Sequence, residues 1–220
     1  DAASGERASL FESRSTSDCV GCHTVSHDGR HLAATRNGPG GWFTEVIDAA
    51  SQATPPPTEL GPLPAYHTLA WSPTGTRALA SRPLGTDRDD TRLFLLDGSD
   101  GSELTASGLP SVQAGQPTWS PDGKLVAWME GGGDGPDGTA AQTRIVIADV
   151  DGDSFEPRVL HDGGDLADCF EGGLTDSHPT FSPDSRFIAF AHGTRSVSSG
   201  TSLTERSRSG LYLVPVEGGE

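Results

Sequence analysis

The sequence predicts an all-β fold of four repeated blades, that is, a β-propeller. A short turn motif recurs four times, a brief apolar run follows each copy, and no segment has a helical period. Glycine and proline account for 29 and 16 of the 220 residues, about a fifth of the chain, which suits a turn-rich β protein. Composition does not shift along the sequence, so we expect a single domain over residues 1–220.

The repeated motif is an aromatic residue followed by Ser-Pro and a turn. Its copies are residues 71–75 (WSPTG), 119–123 (WSPDG), 181–185 (FSPDS) and, in a degenerate form, 25–29 (VSHDG). The intervals between the first residues of successive copies are 46, 48 and 62 residues. The first two intervals match the length of a four-stranded propeller blade, and loop insertions account for the third.

Each copy of the motif predicts the turn between the innermost strand of a blade and its second strand. The second strands are short apolar runs, as expected for strands buried on both faces; they are residues 32–34, 78–80, 125–128 and 187–190. Third strands are predicted at residues 43–48, 92–97, 144–149 and 211–214. Turns such as Asp97-Gly98 and Asp151-Gly152 then lead to a weaker outer strand, for example at residues 158–160.

The motif resembles the P-x-W-S-P-D-G-like element of the TolB-type, WD-repeat-like β-propellers, and the resemblance covers nearly all of residues 23–216. It implies four strands per blade, a to d, with strand a lining a central channel. The first copy departs from the pattern, because Val25 replaces the aromatic residue and His27 replaces the proline. The fourth blade stops after its third strand. Either residues 7–11 supply the outer strand and close a four-bladed ring, or the chain is an excerpt of a larger propeller.

A haem-attachment motif lies just before the first blade. Cys19, Cys22 and His23 form the C-x-x-C-H pattern, in which each thiol adds to one haem vinyl group and the imidazole is the proximal iron ligand. A structural zinc site would need four ligands, and only Cys169 plus a histidine could complete the set. A thioredoxin-like pair would require a βαβ setting that the sequence lacks. We therefore expect one covalent haem c, with Cys169 as a buried free thiol.

The register of the repeats places this motif in the fold. Cys22 aligns with Gln116 and His178, so the haem is expected at the start of the innermost strands, on one face of the propeller. The side chains that fall on or near this face and could be the distal iron ligand are His67, His161, His178, His192 and Met129. His67 is the first candidate, because it lies at the rim of the neighbouring blade, and His178 is the second. Met129 is a weaker candidate, and its ordinary interpretation is a residue at the end of a core strand.

The charge balance limits the partners. Lys plus Arg number 15 and Asp plus Glu number 31, so the net charge of −16 repels nucleic acid and anionic membrane surfaces. No apolar run is long enough to span a membrane. Alternate acidic residues at 149–153 could bind Ca²⁺, but they align with the ordinary c–d turn of the preceding blade, which is the favoured interpretation. The chain begins at Asp1 without Met and is interpreted as a processed or excerpted product.

Together these features predict a c-type cytochrome on a β-propeller scaffold, transferring single electrons in the periplasm or outside the cell. We would then expect the protein to have a redox partner protein or to belong to a larger electron-transfer complex. No hydrolase elbow, zinc-protease or P-loop motif is present, so an electron carrier is favoured over an enzyme. The alternative is a non-catalytic TolB-like propeller that acts as an interaction module, with the cysteines as a local disulfide or a lost haem site. An open iron position with peroxidase-like activity is a third possibility.

Overall fold

The computed structural model describes residues 20–38, 41–49, 58–64, 66, 68–81, 92–111, 113–131, 143–163, 175–193 and 209–218. Side chains are not described at residues 20–22, 37–38, 41–42, 58–62, 64 and 209. The described residues form four antiparallel sheets, called blades 1 to 4 in chain order. Within them, no helix is long and apolar enough to cross a membrane.

Each blade is an up-and-down sheet in which consecutive strands are hydrogen-bonded neighbours. Blade 1 comprises β1 (Val20–Val25), β2 (His31–Gly38), β3 (Gly41–Asp48) and β4 (Thr58–Pro64). Blade 2 comprises β5 (Thr68–Trp71), β6 (Arg77–Ser81), β7 (Leu93–Asp97) and β8 (Glu103–Leu104). Blade 3 comprises β9 (Ala114–Trp119), β10 (Leu125–Gly131), β11 (Thr143–Asp151) and β12 (Ser154–Asp162). Blade 4 comprises β13 (Thr175–Phe181), β14 (Phe187–Gly193) and β15 (Ser209–Pro215).

The repeated motif builds the same a–b turn in all four blades. In blade 3 the Ser120 N–H donates to the Leu125 carbonyl, the Leu125 N–H donates to the Ser120 hydroxyl oxygen, and Ser120 Oγ donates to Asp122 Oδ1. The degenerate first copy makes the same bonds from Ser26 to His31 and Asp28. In blade 2, Thr74 stands in the place of the acidic residue, and its Oγ1 lies 3.4 Å from Ser72 Oγ. The serine hydroxyl that accepts the N–H five residues on is therefore the bond common to all four turns, and the proline that His27 replaces is dispensable. This geometry confirms the fourth, degenerate repeat.

Three apolar cores lie between successive blades, and each contains side chains from both neighbours. In the core between blades 1 and 2, Val46 of β3 packs with Trp71 of β5. Between blades 2 and 3, Leu95 packs with the fully buried Trp128. The second strands are buried as predicted, since Val126, Ala127 and Trp128 are all inaccessible to solvent. Face-to-face burial of this kind holds the sheets side by side and sets their innermost strands next to one another.

Candidate functional site

Within the described parts of the innermost strands, a β-bulge occurs at equivalent places in blades 1, 3 and 4. The pairing register shifts between Gly21 and Thr24 in β1, and again between Ser177 and Thr180 in β13. The third shift lies in β9 between Gly115 and Thr118, opposite residues 127–129 of β10. A bulge bends a strand and redirects its side chains, and it recurs next to functional sites. The residues at the bulge of β1 are Cys22 and His23.

The bulge residues of blades 3 and 4 confirm the predicted register. Gln116-Pro117 and His178-Pro179 occupy in β9 and β13 the place that Cys22-His23 occupies in β1. Gln116 and His178 both have positive φ, 53° and 55°. This left-handed conformation is costly for residues with a side chain, and such strain concentrates at functional sites.

Hydrogen bonds link these equivalent residues from blade to blade. The backbone N–H of Gln116 donates to Thr68 Oγ1 of blade 2 at 3.0 Å, and the N–H of His178 donates to Gln116 Oε1 at 2.6 Å. Each side chain thus accepts the backbone N–H of its counterpart in the next blade. The bulge removes these N–H groups from the strand ladder, and the interblade bonds satisfy them. The same links fix the spacing between the innermost strands of blades 2, 3 and 4.

A cavity of about 340 Å³ opens where the innermost strands begin, and its walls come from all four blades. The lining residues are His23 and Thr24 of blade 1, Thr68 and Leu69 of blade 2, Gln116 and Pro117 of blade 3, and residues 178–180 of blade 4. The volume lies in the range of sites for small molecules and cofactors. We call this cavity the channel mouth.

Among the residues that the structure describes, two imidazoles line the channel mouth, those of His23 and His178. His23 is exposed, as a residue that must meet a cofactor from outside the protein would be. The side chain of His178 also reaches solvent, yet desolvation by its surroundings lowers its pKa. Its Nε2 lies 3.5 Å from Gln116 Nε2, at the limit of hydrogen bonding. A lowered pKa keeps the ring neutral at physiological pH, and the neutral ring is the form that ligates a metal.

Several of the other predicted residues lie outside the part of the chain that the structure describes. Cys22 lies within β1 but its side chain is not described, and Cys19, His67 and Cys169 lie outside the described residues. Residues 7–11, the proposed outer strand of blade 4, lie outside them too. Met129 lies in β10 opposite Ile145 and is not among the residues that line the channel mouth.

The acidic tract at 149–153 forms the predicted c–d turn. Asp151 pairs with Ser154 at the end of the β11–β12 hairpin, and Gly152 has the positive φ of 60° that the turn requires. Asp153 Oδ1 accepts a 2.9 Å hydrogen bond from Arg77 Nε of blade 2, so one of the acidic side chains is engaged in an interblade ion pair. Within the described ranges, no three His, Cys, Asp or Glu residues are placed to hold a metal ion.

One polar cluster was not predicted from the sequence. The carboxylate of Asp176 on β13 contacts two imidazoles, His192 Nδ1 at 2.6 Å and His161 Nδ1 at 2.7 Å. Asp176 and His192 are fully buried, and His161 comes from the outer strand of blade 3. The cluster therefore joins blades 3 and 4 on the side where the innermost strands begin. These histidines are separated in sequence, and nothing in the chain indicates that they converge on one carboxylate.

Three features of the channel mouth are compatible with the predicted haem ligand His23. An exposed imidazole follows directly after Cys22 on a bulged strand, the cavity beside it is open to solvent, and a second imidazole with a lowered pKa lines the same cavity. Cys19 and Cys22 would hold the haem covalently, and His23 would be the ligand to its iron. The described residues fit the group that the motif predicts.

No family model and no curated relative matches the sequence. Solved structures do match its fold. A putative TolB from Agrobacterium tumefaciens has a TM-score of 0.60 and 19% identity over 93% of this chain and 61% of its own. TolB from Acinetobacter baumannii has a TM-score of 0.61 and 16% identity over 96% of this chain and 44% of its own.

The hydrazine synthase of Kuenenia stuttgartiensis has a TM-score of 0.54 and 17% identity over 88% of this chain and 50% of its own. The chain thus spans 61% or less of the length of each of these three structures. Identities this low establish architecture, and function is argued from the site. The prediction of an all-β propeller is confirmed: the four sheets have the TolB-like β-propeller fold.

Proposed function

We propose that the protein is a c-type cytochrome in which one haem is bound through Cys19 and Cys22, with His23 as the proximal iron ligand. The observation that carries the proposal is the position of the C-x-x-C-H motif: its histidine lies on a bulge of the first innermost strand and lines the channel mouth. The bound haem would accept and release single electrons.

The polypeptide positions the ligands. The bulge at Cys22-His23 frees this segment from the regular ladder, so that the imidazole projects at the mouth while the rest of β1 stays paired with β2. His178 lies in blade 4, in the place that corresponds to Cys22-His23. The hydrogen bond from its backbone N–H to Gln116 holds it there. Because His178 lines the same cavity as His23, it becomes the first distal candidate to test; His67 remains a prediction.

The blades around the mouth limit rearrangement. Interblade hydrogen bonds and closely packed cores fix the innermost strands, so the ligands would change position little when the oxidation state changes. The net charge of −16 favours a partner with a basic surface or a place in a larger complex. Covalent attachment of haem is associated with the periplasm or the cell exterior, and we propose that location here.

The visible spectrum of the purified protein tests the proposal. We expect a Soret band and split bands on reduction, and we expect the colour to stay with the protein after acid–acetone extraction because the haem is covalent. Replacing Cys19 and Cys22 by Ser should release the pigment, and Cys169→Ser is the matched control that should not. A colourless protein with intact thiols at 19 and 22 would refute the cytochrome and leave the TolB-like interaction module as the function to pursue.

A further inference from the structure

The side-chain amide of Gln116 contacts His178 at two points. Its Oε1 atom accepts the backbone N–H of His178 at 2.6 Å, and its Nε2 atom lies 3.5 Å from His178 Nε2. Both residues line the channel mouth. One planar group therefore faces both the backbone and the ring of the residue that is the first candidate for the distal iron ligand.

The contact with the backbone determines which way the amide of Gln116 is turned. A backbone N–H only donates, so the amide atom 2.6 Å from it is the carbonyl oxygen. Exchanging the oxygen and the nitrogen of the amide would set an NH2 group against another donor. The NH2 group consequently lies on the side of the imidazole, because this hydrogen bond assigns the two atoms.

The orientation of the amide then selects the tautomer of His178. An amide NH2 group donates and cannot accept, so the Nε2 atom that faces it is favoured as the acceptor, and the ring proton lies on Nδ1. The nitrogen that keeps its lone pair is the one that a metal ion binds. A contact of 3.5 Å is at the limit of hydrogen bonding, so Nε2 can exchange it for iron while the short bond to the backbone stays.

The preceding interblade link lacks the second contact. The N–H of Gln116 donates to Thr68 Oγ1 at 3.0 Å, but threonine offers a single polar side-chain atom, and that hydroxyl also bonds Ser81 Oγ at 2.7 Å. Thr68 therefore holds only a backbone, whereas Gln116 holds a backbone and faces a ring. Holding a backbone does not require an amide, so the amide at residue 116 indicates a role at the imidazole.

We infer that Gln116 is a positioning residue for the distal iron ligand: its carbonyl oxygen holds the backbone of His178, and its NH2 group keeps the ring proton on Nδ1, so that Nε2 can bind iron. The inference rests on the proposed function, with His178 as the distal ligand. Gln116 acts through the imidazole and is not itself an iron ligand.

Nitrogen-15 NMR of the imidazole of His178 tests the tautomer in the absence of iron. The sample is the full chain with Cys19→Ser and Cys22→Ser, which cannot hold a covalent haem, and His178→Ala assigns the ring signals. We expect Nε2 to carry no proton when Gln116 is present and to carry one in Gln116→Glu, because a carboxylate oxygen in place of the NH2 group accepts from the ring. A proton on Nε2 with Gln116 in place, or a bare Nε2 in Gln116→Glu, would overturn the inference.

A charge-matched variant separates this effect from added charge. Gln113→Glu adds the same charge three residues earlier in the chain, at a residue that is not among those lining the channel mouth, and should leave the ring signals of His178 unchanged. A purely structural role for Gln116 predicts no change in Gln116→Glu either, because an oxygen remains for the backbone N–H. A proton moved to Nε2 by Gln113→Glu as well would assign the effect to charge alone and overturn the inference.

Carbon monoxide binding to the reduced haem protein tests the step to iron. We expect the unmodified protein not to bind it, and we expect both Gln116→Glu and His178→Ala to bind it, because a ring that carries its proton on Nε2 does not ligate through that atom. Binding by His178→Ala but not by Gln116→Glu would overturn the role of Gln116. Binding by the unmodified protein, or by neither variant, would show that His178 is not the distal ligand and would also overturn it. The covalent haem of the proposed function is tested separately, by the colour that remains after acid–acetone extraction.

Discussion

The Oε1 atom of Gln116 accepts the backbone N–H of His178 at 2.6 Å, although the two residues lie in different blades. They are also counterparts, since both occupy the bulge of an innermost strand and both have positive φ. The side chain of Gln116 therefore holds in place its own counterpart in blade 4, which is His178. Through it, the conformation of blade 3 determines where the imidazole of His178 lies at the channel mouth.

Replacing Gln116 by Ala should destabilise the protein by about 1 kcal/mol, because the N–H of His178 loses its acceptor at a strained bulge. Gln116→Glu keeps an oxygen in the same place and should retain most of that stability. Urea unfolding of both variants measures the difference. Equal stability of the Ala and Glu variants would mean that the interblade bond contributes nothing.

Replacing His178 by Ala tests the proposed distal ligand. If His178 completes the iron coordination, the reduced variant should bind carbon monoxide readily, whereas the unmodified protein should not, because the sixth position is filled. His67→Ala is the competing variant, and His27→Ala, in the a–b turn of blade 1, is the control that should leave the spectrum unchanged. Carbon monoxide binding in His67→Ala alone would transfer the role to His67.

The fold was predictable because its signals are local. A serine that accepts the N–H five residues on forms the turn in all four blades, and an acidic residue accepts from that serine in three of them. Because these atoms are close neighbours in the chain, the four turns are visible in the sequence even where Val25 replaces the aromatic residue. The spacing of the turns then gives the blades. The register of Cys22 with Gln116 and His178 followed from the same alignment.

The site was only partly predictable because its geometry is set between blades. Alignment placed Gln116 level with Cys22 but did not show that its side chain accepts the N–H of His178. The contacts of Asp176 with His161 and His192 depend on how the outer strand of blade 3 meets blade 4, which no local pattern encodes. Contacts between distant segments follow from packing, and the sequence carries them only implicitly.

Replacing Asp176 by Asn should destabilise the protein by about 3 kcal/mol. The carboxylate is fully buried and both its oxygens contact an imidazole Nδ1, whereas the amide group offers only one acceptor and directs a donor at the second ring. Asp151→Asn at the exposed c–d turn is the matched control and should cost less than about 0.5 kcal/mol. Thermal and urea unfolding measure both, and comparable losses at the two positions would contradict a structural role for the cluster.

Exchanging the last residue of two turn motifs tests the cost of a left-handed backbone. Ser185 has a φ of 60° where its counterpart Gly123 has 73°. Ser185→Gly should stabilise the protein by about 0.5 to 1 kcal/mol, and Gly123→Ser should destabilise it by a similar amount. The Asp122 N–H, 3.3 Å from Ser185 Oγ, loses a weak contact in the first variant, which limits the gain. We expect the urea midpoint to rise in Ser185→Gly and to fall in Gly123→Ser. Shifts of both midpoints in the same direction would contradict a cost of the left-handed backbone at these positions.

The carboxylates of the a–b turns should make the stability of the protein depend on pH in the acidic range. A hydrogen bond from the Ser120 hydroxyl is the main cause that lowers the pKa of Asp122 below its ordinary value of 3.8. The folded pKa is therefore lower than the unfolded one, so the stabilisation is complete above about pH 4 and is lost as the pH falls through the folded value. Asp122→Asn removes the titrating group, and its stability deficit relative to the unmodified protein should be constant from pH 5 to pH 7 and shrink below pH 4. Urea unfolding across this range measures the deficit. A deficit that stayed constant down to pH 2 would show that protonation of Asp122 does not weaken the turn.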